Sequence, residues 1–242
     1  MEKLPLLLLP GTLCDATLFE HQVTHLADIA APQVIDVHRQ DNLADVARYV
    51  LSQVTGKFAV AGLSYGGIVT FELWRQAPER IVKIALLNTN PYHAASKTVE
   101  VQQRFVGMAH LGKFQEITTN YLKDTMLHPD HQKDMILREK ILNMAKTIGI
   151  EGFVNEVKAQ LARPNSIYDL PNITCPTLVL TGREDAVVPL FAHAMMYDHL
   201  PHSRFIVIEN CGHLSTMEQP ENVTQALRDW ITGAGIWKEN SA

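Results

Sequence analysis

Gly62-Leu63-Ser64-Tyr65-Gly66-Gly67 is the stretch that decides the fold. It follows the apolar run Phe58-Ala59-Val60-Ala61 and precedes a helical pattern from Ile68 to Gln76. A serine flanked at two residues on either side by glycine, between a strand and a helix, describes a sharp turn. Such a turn lifts a hydroxyl to the open end of a sheet in a strained backbone conformation. Close packing around it admits only small neighbours, which accounts for Gly62 and Gly66. The helix that follows aims its N-terminus at the same spot, where partial positive charge favours a developing anion. A bare G-x-S-x-G occurs often by chance. The strand before it and the helix after it make Ser64 a candidate nucleophile rather than a turn filler.

Working outward, strand and helix patterns alternate through the first third of the chain. Leu4 to Pro10 reads as a buried strand, and Asp15 as the cap of a short helix through Leu18, Phe19 and Val23. Val34 to Val37 reads as a second strand. Leu43, Val46, Ala47, Val50 and Leu51 recur at helical spacing, and Ile81 to Leu87 is another apolar strand. Alternation of this kind implies right-handed crossovers and a mostly parallel sheet. From residue 97 to 163 the strand signal stops. Val101, Phe105 and Met108, then Phe114, Ile117 and Tyr121, then Leu137, Ile141, Met144 and Ile148, then Phe153, Val157 and Leu161 follow helical spacing. Three or four amphipathic helices are expected there, broken near Gly112, His128-Pro129 and Gly149. Strands resume at Thr177–Leu180 and at Arg204–Ile208, and a last helix covers Glu221 to Ile231. The polar, glycine-containing tail from Gly233 is expected to fray.

Bulk properties narrow the function. A chain of 242 residues with net charge -5 and no basic stripe gives little support to nucleic-acid binding. Cys14, Cys175 and Cys211 are few and odd in number, which suits free thiols in a reducing compartment. The apolar run after Lys3 is too short for a secretory signal and ends at Pro10-Gly11 without a cleavage site. No stretch is long enough to span a membrane, so a cytoplasmic location and no membrane partner are expected.

A serine hydroxyl needs a base, and the base needs an orienting group. Asp185, in Leu180-Thr181-Gly182-Arg183-Glu184-Asp185, and His213, in Asn210-Cys211-Gly212-His213, each follow a predicted strand. Loops at the carboxyl ends of parallel strands are where such sheets hold ligands. Glu184 and Asp169 are the rivals of Asp185, but Glu184 would point away and Asp169 sits where the helical stretch ends. The position after the Ile81–Leu87 strand, Asn88-Thr89-Asn90, carries no charge. The ten other histidines lie mostly on predicted helices, where solvent is the expected neighbour.

With Ser64, Asp185 and His213 in that order, the chain resembles the α/β-hydrolase fold superfamily over nearly its whole length. The Gly-x-x-Asp-x-x-x-Pro setting of Asp185 and the Gly-His…Glu-x-Pro-Glu setting of His213, which runs on through Glu218 to Glu221, carry the resemblance. It implies an α/β fold with a mostly parallel twisted sheet flanked by helices. The opening strand resembles the third of the usual eight, so about six strands are expected. A helical lid over 93–169 would be inserted late in the sheet, between core segments 1–92 and 170–242. It implies Ser64 as nucleophile, His213 as base and Asp185 as its orienter. The oxyanion hole would use the backbone N–H of Tyr65 and of Thr12, with Leu13 as the alternative donor. Pro10-Gly11 stands where the family commonly has His-Gly, which leaves a side-chain role for that histidine unfilled.

The expected activity is hydrolysis of a small carboxylic ester or thioester without a cofactor. The same residues in the superfamily also serve enol-lactone or carbon–carbon bond hydrolysis and lyase chemistry on acidic substrates. Leu13, Arg104 and Arg138, together with Arg163, are candidates for contacting such a substrate. A small-molecule receptor of the same fold is the reading from another class. A metal site is not expected. His21 and His25, and the cluster His128-Pro129-Asp130-His131, lack a complete ligand set. Cys14 and Cys211 read as small buried thiols, and the methionines at 108, 126, 135 and 144 as core filler or pocket wall.

Overall fold

The computed structural model describes residues 3–239, and side chains throughout that span except at 120–124 and 239. Six strands run parallel: β1 (Pro5–Leu9), β2 (Ala31–Val34), β3 (Phe58–Leu63), β4 (Ile81–Leu87), β5 (Thr177–Gly182) and β6 (His202–Ile208). A short β7 (Lys238–Glu239) pairs antiparallel with β6. The order across the sheet is β2-β1-β3-β4-β5-β6-β7. Flanking it are α1 (Glu20–Leu26), α2 (Leu43–Ser52) and α3 (Tyr65–Gln76). Between β4 and β5 come α4 (Ser96–Met108), α5 (Phe114–Asp124) and α6 (Met135–Leu161), and after β5 α7 (Leu190–His199), α8 (Ser215–Glu218) and α9 (Pro220–Thr232).

The apolar runs of the sequence are explained by burial on both faces. Leu6 and Leu8 of β1 point into one core with Phe19, Leu26, Leu227 and Trp230; Leu7 and Leu9 point into the other with Val46, Val50, Val69 and Phe71. Parallel strands covered on both sides need apolar residues at every position, which removes the alternation that an exposed face would show. Helix ends follow local chemistry. The Asn42 side chain accepts from the Ala44 and Asp45 N–H groups to start α2, and Asp134 accepts from Ile136 and Leu137 to start α6. The Asp15 side chain accepts from the Thr17 N–H, as its capping role requires.

Two strands depart from the sequence reading. β2 was expected over Val34–Val37 but occupies Ala31–Val34. It is an edge strand, where Pro32 is tolerated although it donates nothing to the ladder. The Ile35 N–H still donates to the Leu8 carbonyl of β1, but Ile35 and Val37 lie past the strand and turn into the core beside α2 and α3. β7 falls in the tail expected to fray. It is held by pairing with His202 and Ser203 and by Lys238, which donates to the Tyr197 and Asp198 carbonyls.

The segment between β4 and β5 is helical, with breaks at the expected places. Gly112 and Gly149 have φ of 78° and 69°, and residues 125–134 separate α5 from α6. A small core of its own joins Ala109, Ile117, Phe153 and Val157. Tyr121, read as part of the apolar face of α5, lies outside the described side chains.

Candidate active site

The strand order reverses direction on either side of β1, so the carboxyl ends of β1 and β3 open a crevice. Ser64 sits at that point. Its φ of 55° and ψ of -112° are strained for a residue with a side chain. The strain is held by neighbours: the Ser64 N–H donates to the Leu87 carbonyl at 2.9 Å, and the Thr89 hydroxyl donates to the Ser64 carbonyl at 2.8 Å. The two flanking glycines meet backbone. A Cβ on Gly62 would fall against the Gly66 carbonyl, and one on Gly66 against the Leu9 carbonyl.

His213 arrives from the loop after β6, and its Nε2 lies 3.0 Å from Ser64 Oγ. Asp185 arrives from the loop after β5, with Oδ2 2.9 Å and Oδ1 3.0 Å from His213 Nδ1. The two side chains are 2% and 1% exposed, so the pair is effectively out of water. Burial by itself would raise the Asp185 pKa. The His213 charge, the bond to its ring, and donors from Asn88 and Val188 outweigh burial and hold the carboxyl below its usual value. The Val187 and Val188 N–H groups both donate to Oδ1. The three side chains singled out in the sequence are therefore in one hydrogen-bonded chain.

Among the described residues, no hydrogen bond occupies the N–H of Tyr65 or of Thr12. Leu13 differs. Its N–H donates to Glu156 Oε2 of α6 at 3.0 Å, while its side chain lines the apolar cavity beside Ser64. That cavity is walled by Phe105, Ile117, Ile141, Phe153 and Val157. A second, more open cavity also reaches Ser64 and carries Arg104 and Arg163. Arg138 is in neither. Its guanidinium turns back to the Gln132 carbonyl, just ahead of α6.

Glu184 accepts from the Cys211 N–H, and Asp169 pairs with Arg75 on α3, so the rivals of Asp185 are occupied elsewhere. Several residues around the site had no role assigned to them from the sequence. Asn88 donates to Asp185 Oδ2 at 2.9 Å and to the Gly212 carbonyl. Glu218 accepts from the Leu214 and His128 N–H groups and bonds His131 Nδ1 at 2.9 Å, while the His213 N–H donates to the Met126 carbonyl. His193, on α7, is fully buried. Burial pushes it down to about 4, and its Nε2 accepts from the Thr89 N–H. The signal for Asn88 was its place just past a strand end. Glu218 stands in the motif that follows His213, and nothing local marked His193.

His21 and His25 stack at 4.1 Å, and no group of three or more potential metal ligands forms among the described residues. Among the same residues no helix is long and apolar enough to cross a membrane.

A model of the alpha/beta hydrolase family matches residues 6–226. With the fold and the site in place, the chain belongs to that family. It is similar to the pimeloyl-[acyl-carrier protein] methyl ester esterase of Nitrosomonas europaea, 24% identical over 186 residues that cover 75% of this chain and 74% of that one. It is also similar to 3-oxoadipate enol-lactonase 1 of Acinetobacter baylyi, 27% identical over 70% of this chain and 62% of that one. In structure it superposes on a thermophilic esterase from Thermogutta terrifontis with a TM-score of 0.87 and 29% identity, covering 96% of this chain and 90% of that one.

Proposed function

We propose that the protein is a serine hydrolase that cleaves a small carboxylic ester or thioester through an acyl-enzyme. One observation carries this reading: the 3.0 Å contact between His213 Nε2 and Ser64 Oγ, with Asp185 on the other ring nitrogen. In this arrangement Nδ1–H is fixed toward the carboxylate, and Nε2 is left as the acceptor for the hydroxyl proton. Ser64 Oγ attacks the acyl carbon as His213 takes its proton. The carbonyl oxygen becomes an oxyanion that receives the Tyr65 and Thr12 N–H groups, at the N-terminus of α3. His213 then returns the proton to the leaving alcohol or thiol. Water, deprotonated by the same nitrogen, attacks the acyl-enzyme and releases the acid.

In this reading residues 93–169 form a lid over a core of residues 1–92 and 170–242. The apolar cavity under α4, α5 and α6 takes the acyl part, and the substrate is a small molecule. Fluorophosphonate labelling tests the proposal. Ser64 is expected to be labelled, and Ser64→Ala to lower kcat by roughly 10⁴–10⁶-fold on p-nitrophenyl esters. Wild-type protein that neither labels nor turns over esters of any chain length would favour the receptor reading instead.

A second reading has an observation of its own. Arg104 and Arg163 border the cavity that reaches Ser64, and burial lowers the Arg163 pKa to about 10. A buried cation of this kind gains from an anionic group beside it. This favours acidic substrates, including enol-lactones, for the same three residues.

A further inference from the structure

Glu156 is fully buried and takes no part in the reaction as described. It sits on the stretch of α6 that follows the break at Gly149, over the loop Gly11-Thr12-Leu13-Cys14. Its Oε2 accepts from the Leu13 N–H at 3.0 Å, and its Oε1 has no partner. One turn further on, the Gln160 amide donates to Thr12 Oγ1 at 2.7 Å. Residues four apart share one helix face, so this single face grips two successive residues of the loop. The grip holds strain: Leu13 has a φ of 60°, which a branched side chain does not adopt unaided.

Among the described residues, no cation pairs with the Glu156 carboxyl. From the loop comes the Cys14 thiol, with Asp15 beyond it. From α3 comes the Tyr65 phenol, which donates to the Val37 carbonyl. One helical turn back at Gly152 packs the His38 ring. Burial pushes the Glu156 carboxyl up to about 8, against the pull of the Leu13 N–H, so it is neutral at pH 7.

Resting on the hydrolase reading above, we propose that Glu156 is the positioning residue of the oxyanion loop and its alkaline off-switch. As a neutral acid it fixes the turn that carries Thr12. As a carboxylate it adds buried negative charge beside the place where the oxyanion forms. The step is one proton lost to solvent from the carboxyl, with no other bond changed.

The test compares wild type, Glu156→Gln and Glu156→Ala on a short p-nitrophenyl ester from pH 6 to 9.5. Wild-type kcat is expected to fall above about pH 8, and Glu156→Gln to lose that fall, since the amide accepts from Leu13 but does not ionise. Glu156→Ala is expected to lower kcat about 10–100-fold at pH 7 with KM within about 3-fold, and Glu156→Gln to recover most of that loss. An alkaline fall that persists in Glu156→Gln, or Gln and Ala variants with the same kcat, would overturn the proposal. The Leu13 amide resonance, followed by ¹⁵N NMR, reads the same titration without turnover. It should move with a midpoint near 8 in wild type and stay still in Glu156→Gln; a static wild-type resonance overturns the proposal. Failure of every ester would sink the hydrolase reading and leave the Leu13 titration to judge this one.

Discussion

The Asn88 carboxamide donates to Asp185 Oδ2 at 2.9 Å, and the Ser215 hydroxyl donates to Asn88 Oδ1 at 2.6 Å. An uncharged residue at the end of β4 thus braces the acid that β5 supplies. Removing it leaves a buried carboxylate oxygen with one donor fewer, and charge-assisted bonds of this kind are among the stronger ones. Asn88→Ala should lower kcat by about 10-fold, read as an equal fall in kcat/KM. Asn88→Asp should cost more, because two buried carboxylates side by side oppose each other's ionisation. An Asn88→Asp enzyme as active as wild type would show that the brace is unimportant.

That residue also marks the limit of what the chain displays in one dimension. Ser64, Asp185 and His213 were legible because each sits in a short pattern tied to backbone geometry, a strand end followed by a turn. The sheet was legible because strands buried on both faces are apolar throughout, as β1 and β3 are. Asn88, Glu156 and His193 owe their importance to partners 97, 143 and 104 residues away, and no spacing rule encodes those. Arg138 shows the same limit. Helical spacing gives its element but not the carbonyl it turns to. β2 is shifted because Ile35 and Val37 are as apolar as strand residues while serving the helix-covered core.

The glycines around Ser64 make opposite predictions from another glycine in the same chain. A methyl on Gly66 would press on the Leu9 carbonyl, backbone against backbone, with no side chain to give way. Gly66→Ala should therefore destabilise by about 2–3 kcal/mol, as overpacked cores do. It should also abolish labelling of Ser64, since the turn must open. Gly107 on α4 is exposed, and a methyl added there would meet nothing within 4 Å. Gly107→Ala should stabilise by about 0.5–1 kcal/mol through helix propensity. Chemical denaturation of the two variants decides, and the reverse order would contradict the close approach of α3 to β1.

Arg104 offers a way to separate the two substrate readings. It is exposed on α4, it borders the open cavity at Ser64, and its guanidinium rests over the Phe105 ring. Arg163 is less suited to the test, because it also donates to the Tyr92 and Gln160 carbonyls. Arg104→Gln should raise KM for esters with a carboxylate on the leaving side by about 3–10-fold and leave neutral esters unchanged, with the difference shrinking at high salt. Equal KM values for both ester classes in both proteins would remove the acidic-substrate reading.

Two buried carboxyls pull the pH dependence of stability in opposite directions. Asp185 is held below its ordinary 3.8, so its contribution is present above that value and is lost only as pH falls through the native one. Glu156 is raised from 4.5 to about 8. The native state then binds a proton that the unfolded chain releases, so stability is fully present below about pH 4.5 and declines up to about pH 8. A shift of that size amounts to roughly 3–5 kcal/mol. Glu156→Gln removes the ionisation and keeps the shape. Urea denaturation at pH 5, 7 and 9 should find the variant increasingly more stable than wild type as pH rises, with no further gain above pH 9. Parallel curves for the two proteins would mean that Glu156 is ionised in the fold, with a cation or water meeting Oε1.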